Sequence, residues 1–125
     1  MIAPGAIALV RRHGDVAFVV HNLGFDGRWR VISKAVDDDK RLSAYSGLTV
    51  GVGDIIVTRA APTYEVGTEV EHDGLRCTVL ADHGDTVALK LPASRRQTRV
   101  GDYVHIAAGN TATVAKSNLV LATLG

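Results

Sequence analysis

Cysteine occurs once, as Cys77, so no disulfide can form within the chain. Aromatic residues make up only 5% and prolines number three. With 46% hydrophobic residues, the core must therefore be built mostly from Val, Leu, Ile and Ala. An excess of charge is missing too. Fourteen Lys and Arg face 13 Asp and Glu, for a net charge of +1, whereas nucleic-acid modules usually carry a clear basic surplus. A local basic patch stays open. No apolar run reaches the roughly 18 residues of a membrane-spanning helix. No charged-then-apolar leader opens the chain. The expectation is a soluble protein made in a reducing compartment, with Cys77 a small buried hydrophobe. No stretch longer than about ten residues repeats its apolar positions with helical period.

What is present is short alternating runs between tight turns. The clearest stretch is Gly67 to Leu91, GTEVEHDGLRCTVLADHGDTVALKL. His72-Asp73-Gly74 and Asp82-His83-Gly84-Asp85 carry the residues that supply positive φ in hairpin turns. Between them Leu75, Cys77 and Val79 alternate with Arg76 and Thr78. After them Val87, Leu89 and Leu91 alternate with Ala88 and Lys90. Period two marks strands with one wet face, and the stretch predicts a three-stranded meander.

The rest of the chain reads in the same style. Met1 to Gly5 is a short arm. Ala6 to Arg11 predicts a strand, turned by His13-Gly14-Asp15. Asp15 to His21 (DVAFVVH) is apolar on both faces, as in a strand covered twice, either centrally in its own fold or by a partner subunit. Gly24-Phe25-Asp26-Gly27 turns the chain into a strand over Arg28 to Ala35. Val36 to Ser46 is the most polar segment and predicts a loop or a helical turn started by Asp37, Asp38 and Asp39. Leu48 to Ala60 is β broken at Gly51 and Gly53, and Pro62 interrupts the ladder. Pro92 ends the meander, and Ala93 to Arg99 reads as an exposed basic loop. Val100 to Ala107, Thr111 to Ala115 and Leu119 to Leu124 predict three more strands, with a turn at Ser117-Asn118. About ten strands at roughly ten-residue spacing predict an all-β fold, a sandwich or small barrel. The chain reads as a single compact β domain over residues 1–125 with little or no helix. Sub-units at 1–60 and 61–125 fit a weak internal repeat, in which HGDVAFVV and RWRVIS answer HDGLRCTVL and TVALKL.

Gly101, Asp102 and Val104, together with Gly67, His72, Asp73, Gly74, Thr78, Val79, Gly84, Asp85, Val87 and Leu89, make a pattern that resembles small SH3-like barrels of the KOW type. Residues 53–91 also look like the barrel inserted in some relaxase-type helicases. The resemblance covers at most the last two-thirds of the chain. It implies one small barrel or two in tandem. Such barrels serve in ribosomal and transcription proteins and in the head–tail connectors and tail proteins of tailed phages, so fold alone does not choose a function.

Side-chain chemistry narrows the choice. Five histidines invite a metal, but His72 and His83 sit at opposite ends of one predicted strand, roughly 25–30 Å apart at ~3.3 Å per residue. No Cys or His pair has ligand spacing. Ser43, Ser46 and Ser117 lie in predicted loops, with no nucleophile elbow. Gly51-Val52-Gly53 lacks the Lys-Ser/Thr and the following helix of a phosphate loop. The remaining signal is basic clusters: Arg11, Arg12 and His13; Arg28 and Arg30; Arg95, Arg96 and Arg99. Their counterparts are acidic, at Asp37, Asp38 and Asp39 and at Glu65, Glu69 and Glu71. Balanced but clustered charge suits complementary contacts between subunits. The expected function is a non-enzymatic structural subunit without a cofactor or metal: a tailed-phage virion protein, assembled in the host cytoplasm, that decorates the head or joins head to tail. Its partners would be other copies of itself and neighbouring capsid or connector subunits, reached by the Met1–Gly5 arm and the loops at Asp37–Ser46 and Ser94–Arg99. The alternative is a nucleic-acid-associated SH3-like module that uses the same arginines on phosphate.

Overall fold

The computed structural model describes residues 2–36, 42–72, 74–92, 94–97, 103–106 and 110–124. They are mostly β, as expected. The chain divides into two compact units, Met1–Pro62 with Ala115–Gly125, and Thr63–Val114.

The first unit holds strands β1 (Ile7–Val10), β2 (Phe18–Leu23), β3 (Trp29–Val36), β4 (Leu42–Val50) and β5 (Ile55–Arg59). They form one antiparallel sheet in the order β4-β3-β2-β1-β5. Strand β4 starts within the polar segment expected to be a loop or helical turn, so that expectation is corrected over residues 42–46. Its pairing with β3 runs from Val36↔Leu42 to Trp29↔Val50, and ladder hydrogen bonds outweigh the low strand propensity of polar side chains. The link from β4 to β5 is a single 3-10 turn, Val52–Asp54, closed by Asp54 N–H to the Gly51 carbonyl at 3.0 Å.

That link shapes the sheet. On a flat sheet the outer strands would lie about 19 Å apart, four intervals of ~4.8 Å. The end of β4 and the start of β5 would also fall at opposite ends of the strands. A short link containing a 3-10 turn spans roughly 10–13 Å. The sheet must therefore roll, and the face inside the roll is the core. Ala8, Val10, Phe18, Val20, Val31 and Ile55 are buried there, joined by Trp29, Leu48, Val50 and Val57. The roll stays open, since β4 and β5 are not paired with each other among the described residues. The expected barrel is thus not closed. Hairpin turns specify neighbours in sequence, whereas closure needs strands distant in sequence to meet at their edges.

The other face of β2 is covered by a helix. Residues Lys116–Thr123 form α1, packed on β2 and β3. This corrects the strand expected over Leu119 to Leu124 and the turn expected at Ser117-Asn118. Leu119, Val120 and Leu121 are buried, and so are Lys116 and Ser117. Val120 and Leu121 close over Val19, flanked by Ile7, Ile32 and Leu124. Strand β2 is therefore central and covered twice, within its own unit. An eight-residue helix is marginal alone, and burial of its apolar side chains, ~1.5–3 kcal/mol each, holds it in place.

Gly5 matters at this junction. Its φ is +92°, and an added Cβ would lie 2.9 Å from the Lys116 side chain. The Lys116 stem crosses Gly5, and its Nζ donates to the Pro62 carbonyl at 2.9 Å. Ile2 packs on the core of the roll. Residues 2–5 of the arm expected to reach a neighbour thus lie on their own unit, and Met1 lies outside the described residues.

The second unit contains the meander, β6 (Glu69–His72), β7 (Leu75–Asp82) and β8 (Thr86–Lys90). Strand β11 (Thr111–Ala115) extends it to four strands, in the order β11-β8-β7-β6. Cys77, Val79, Val87 and Leu89 are fully buried. Leu80 is extra in the register between Val79↔Leu89 and Ala81↔Ala88, and this bulge turns it partly outward. Between β8 and β11, strand β9 (Ser94–Gln97) pairs with β10 (Tyr103–Ile106) in a two-stranded ribbon. The basic segment expected as a loop is a strand over 94–97, because a ribbon edge tolerates charged residues that a sheet interior excludes.

Candidate interaction site

The β2–β3 hairpin ends in a tight turn. Leu23 is paired with Trp29 and Asn22 with Arg30. Beyond them Gly24 N–H donates to the Arg28 carbonyl at 2.7 Å, and Gly27 N–H donates to the Gly24 carbonyl at 3.2 Å. Asp26 Oδ1 accepts from Arg28 N–H at 3.1 Å. Gly27 has a φ of +76°. This is a three-residue loop closed by a left-handed glycine, one of the common hairpin connections. Nothing crowds Gly27, so the glycine is needed for its backbone and not for space.

The turn presents Phe25 entirely to solvent, at a relative exposure of 112%, with Leu23 beside it at 56%. A phenylalanine buries on the order of 150–250 Å² when covered. A turn fixed by three hydrogen bonds holds it out rather than letting it fold back. Arg28 and Arg30 are exposed next to it. Among the described residues neither forms an ion pair.

In the second unit, Glu69, Val70, Glu71, Gly74 and Arg76 line a shallow depression of about 380 Å³. It lies along β6, which has no further strand on its outer side among the described residues. Arg76 is opposite Glu71 in register, yet it reaches diagonally to Glu69, at 3.4 Å. That pair is largely exposed and adds only ~0–1 kcal/mol. Glu71 has no ion pair among the described residues.

The structure separates the predicted basic residues. Arg11 and Arg12 lie in the β1–β2 turn, where Arg11 N–H donates to the Asp54 carbonyl at 2.8 Å. Arg12 has a φ of 73°, a left-handed conformation that costs ~1–2 kcal/mol for a residue with a side chain. Arg28 lies in the next turn, at the opposite end of β2, with Arg30 beside it on β3, so the four arginines form two separate groups. Arg95 and Arg96 sit on β9, paired with His105 and Val104. Asp37, Asp38, Asp39 and Arg99 lie outside the described residues.

Two constellations were not anticipated. His21 Nδ1 and Ser117 Oγ share a hydrogen bond. A Ser–His pair is the beginning of a nucleophile–base arrangement, but Ser117 is fully buried, out of a substrate's reach, and His21 has no carboxylate partner among the described residues. The pair ties α1 to β2. Only the fold reveals it, since 96 positions separate the two residues. Among the described residues no three His, Cys, Asp or Glu are grouped as a metal ion would need.

The second is Asp82. Its Oδ1 accepts from Gly84 N–H at 2.8 Å and shapes the β7–β8 turn. Its Oδ2 accepts from Tyr64 N–H at 2.9 Å and holds the incoming chain. Burial, and then the Asp82 charge, raise the Tyr64 phenol above its ordinary value of 10.0. The fold therefore favours the neutral phenol. That contribution is complete below the unfolded value and is lost as pH rises through the higher folded value. Urea denaturation from about pH 9 to 12 should show Tyr64→Phe losing less stability than the parent protein. Equal losses would remove Tyr64 from the account.

Comparison with protein-family models, with curated proteins and with solved structures returns no match for this chain.

Proposed function

We propose that the protein is a structural subunit of a large assembly rather than an enzyme, and specifically a tailed-phage virion protein that decorates the head or joins head to tail. The observation that carries this reading is Phe25, fully exposed on a hydrogen-bonded turn beside two exposed arginines. Contiguous exposed apolar surface beside charge is characteristic of contact sites. A small rolled sheet with a mostly aliphatic core supplies a stiff mount for such a contact. The virion assignment rests on the resemblance of the sequence to the small SH3-like barrels that tailed phages use, and not on the open roll itself.

A second reading, a nucleic-acid-associated SH3-like module, has one observation in its favour. The β9–β10 ribbon places Arg95 across from His105 and Gln97 across from Tyr103, a run of cationic, polar and aromatic positions of the sort that tracks single strands. Sedimentation of nuclease-treated protein with short DNA or RNA separates the two. The structural reading expects a sedimentation profile indifferent to polynucleotide at low and high salt. A complex that forms at low salt and dissociates steeply as salt rises overturns it in favour of the second reading.

A further inference from the structure

We infer that the β2–β3 tip of one copy docks into the β6 depression of a second copy, joining the chains head to tail. The inference rests on the assembly reading and names its contact. The tip offers Phe25 and Leu23 with two exposed arginines, Arg28 and Arg30. The depression offers the backbone of β6 and a side-chain-free Gly74 beside the exposed Glu69 and Glu71, in a volume of about 380 Å³, ample for one phenyl ring.

Charge selects this occupant. With Arg76 counted against Glu69 and Glu71, the depression keeps one net negative charge, and the exposed Glu65 lies a few residues before β6. An incoming arginine pairs with Glu71 and a second completes Glu69, whose present partner is a long and exposed contact at 3.4 Å. Covering the phenyl ring excludes water from these pairs and strengthens them. Tip and depression are different surfaces, so the contact is heterologous: each copy docked by its tip still offers a depression to the next. Such contacts close into rings or continue as filaments.

The test is a charge swap read by sedimentation over a range of protein concentration. Wild-type protein is expected to associate with concentration, more weakly at high salt. R28E/R30E and E69R/E71R should each lose at least ten-fold in association, while far-UV circular dichroism and thermal unfolding stay those of wild type, since all four side chains are exposed. Mixing the two variants should restore association, because each variant then meets the complementary surface on the other. Phe25→Ser should weaken association by a similar factor without altering charge. A wild-type protein that stays monomeric overturns the inference, as does association that either reversal leaves intact. In the latter case assembly proceeds through another surface and the structural reading stands. Polynucleotide binding in the separate experiment is what removes the structural reading itself.

Discussion

Replacing Leu121 by Ala is expected to lower the stability of the first unit by about 3 kcal/mol, within the range of ~2–5 for a buried leucine. Leu121 is 1% exposed and closes over Val19, the helix-facing position of β2. Helix α1 has no side-chain cap at its start and is held by burial and by the His21–Ser117 and Lys116–Pro62 bonds, so losing Leu121 removes a large share of what keeps it seated. The measurement is convenient. Trp29 is the only tryptophan, and it packs on the core of the first unit, so its fluorescence in a urea titration follows that unit. A loss below about 1 kcal/mol would mean that the helix contributes little and that β2 does not depend on it.

The second large effect is expected in the meander. Leu89 is fully buried and pairs directly with Val79, also fully buried. Leu89→Ala should cost about 2–5 kcal/mol through lost burial and the cavity left behind. The second unit is short, and small folds have little stability in reserve. Amide protons of Cys77, Val79 and Leu89 should then exchange on the timescale of a surface loop. Protection equal to wild type would show that the core tolerates the cavity by collapse, contrary to the close packing inferred from four fully buried side chains.

The sequence makes the meander plain because its turns are written in Asp-Gly and His-Gly pairs and its strands alternate cleanly. The Gly24–Gly27 turn is legible for the same reason. Helix α1 is not, and the cause is physical. A helix buried over most of its circumference has no polar stripe to mark a period of 3.6, so Leu119 to Leu124 cannot be told from a buried strand. Strand β9 hides behind its arginines, and the start of β4 behind polar residues that pair because β3 lies alongside. For the candidate site, composition finds Arg28, Arg30, Glu69 and Glu71 as charges of opposite sign. It misses Phe25, because an aromatic residue in a turn gives no sign of whether it folds inward.

Helix α1 belongs to the first unit but follows the whole of the second in sequence. The first unit is therefore discontinuous, with the second inserted into it. During synthesis, β1 to β5 emerge first and must wait, with the Val19 face of β2 uncovered, while the second unit is made. The inserted unit is continuous and largely of hairpin neighbours, so it has the lower entropic cost of closure and can fold before the first is complete. Helix α1, translated after both β1 to β5 and the inserted unit, then acts as a latch. A nascent chain stalled before Lys116 would expose Val19 and Ile32, an apolar strip inviting chaperone capture or premature association between incomplete copies.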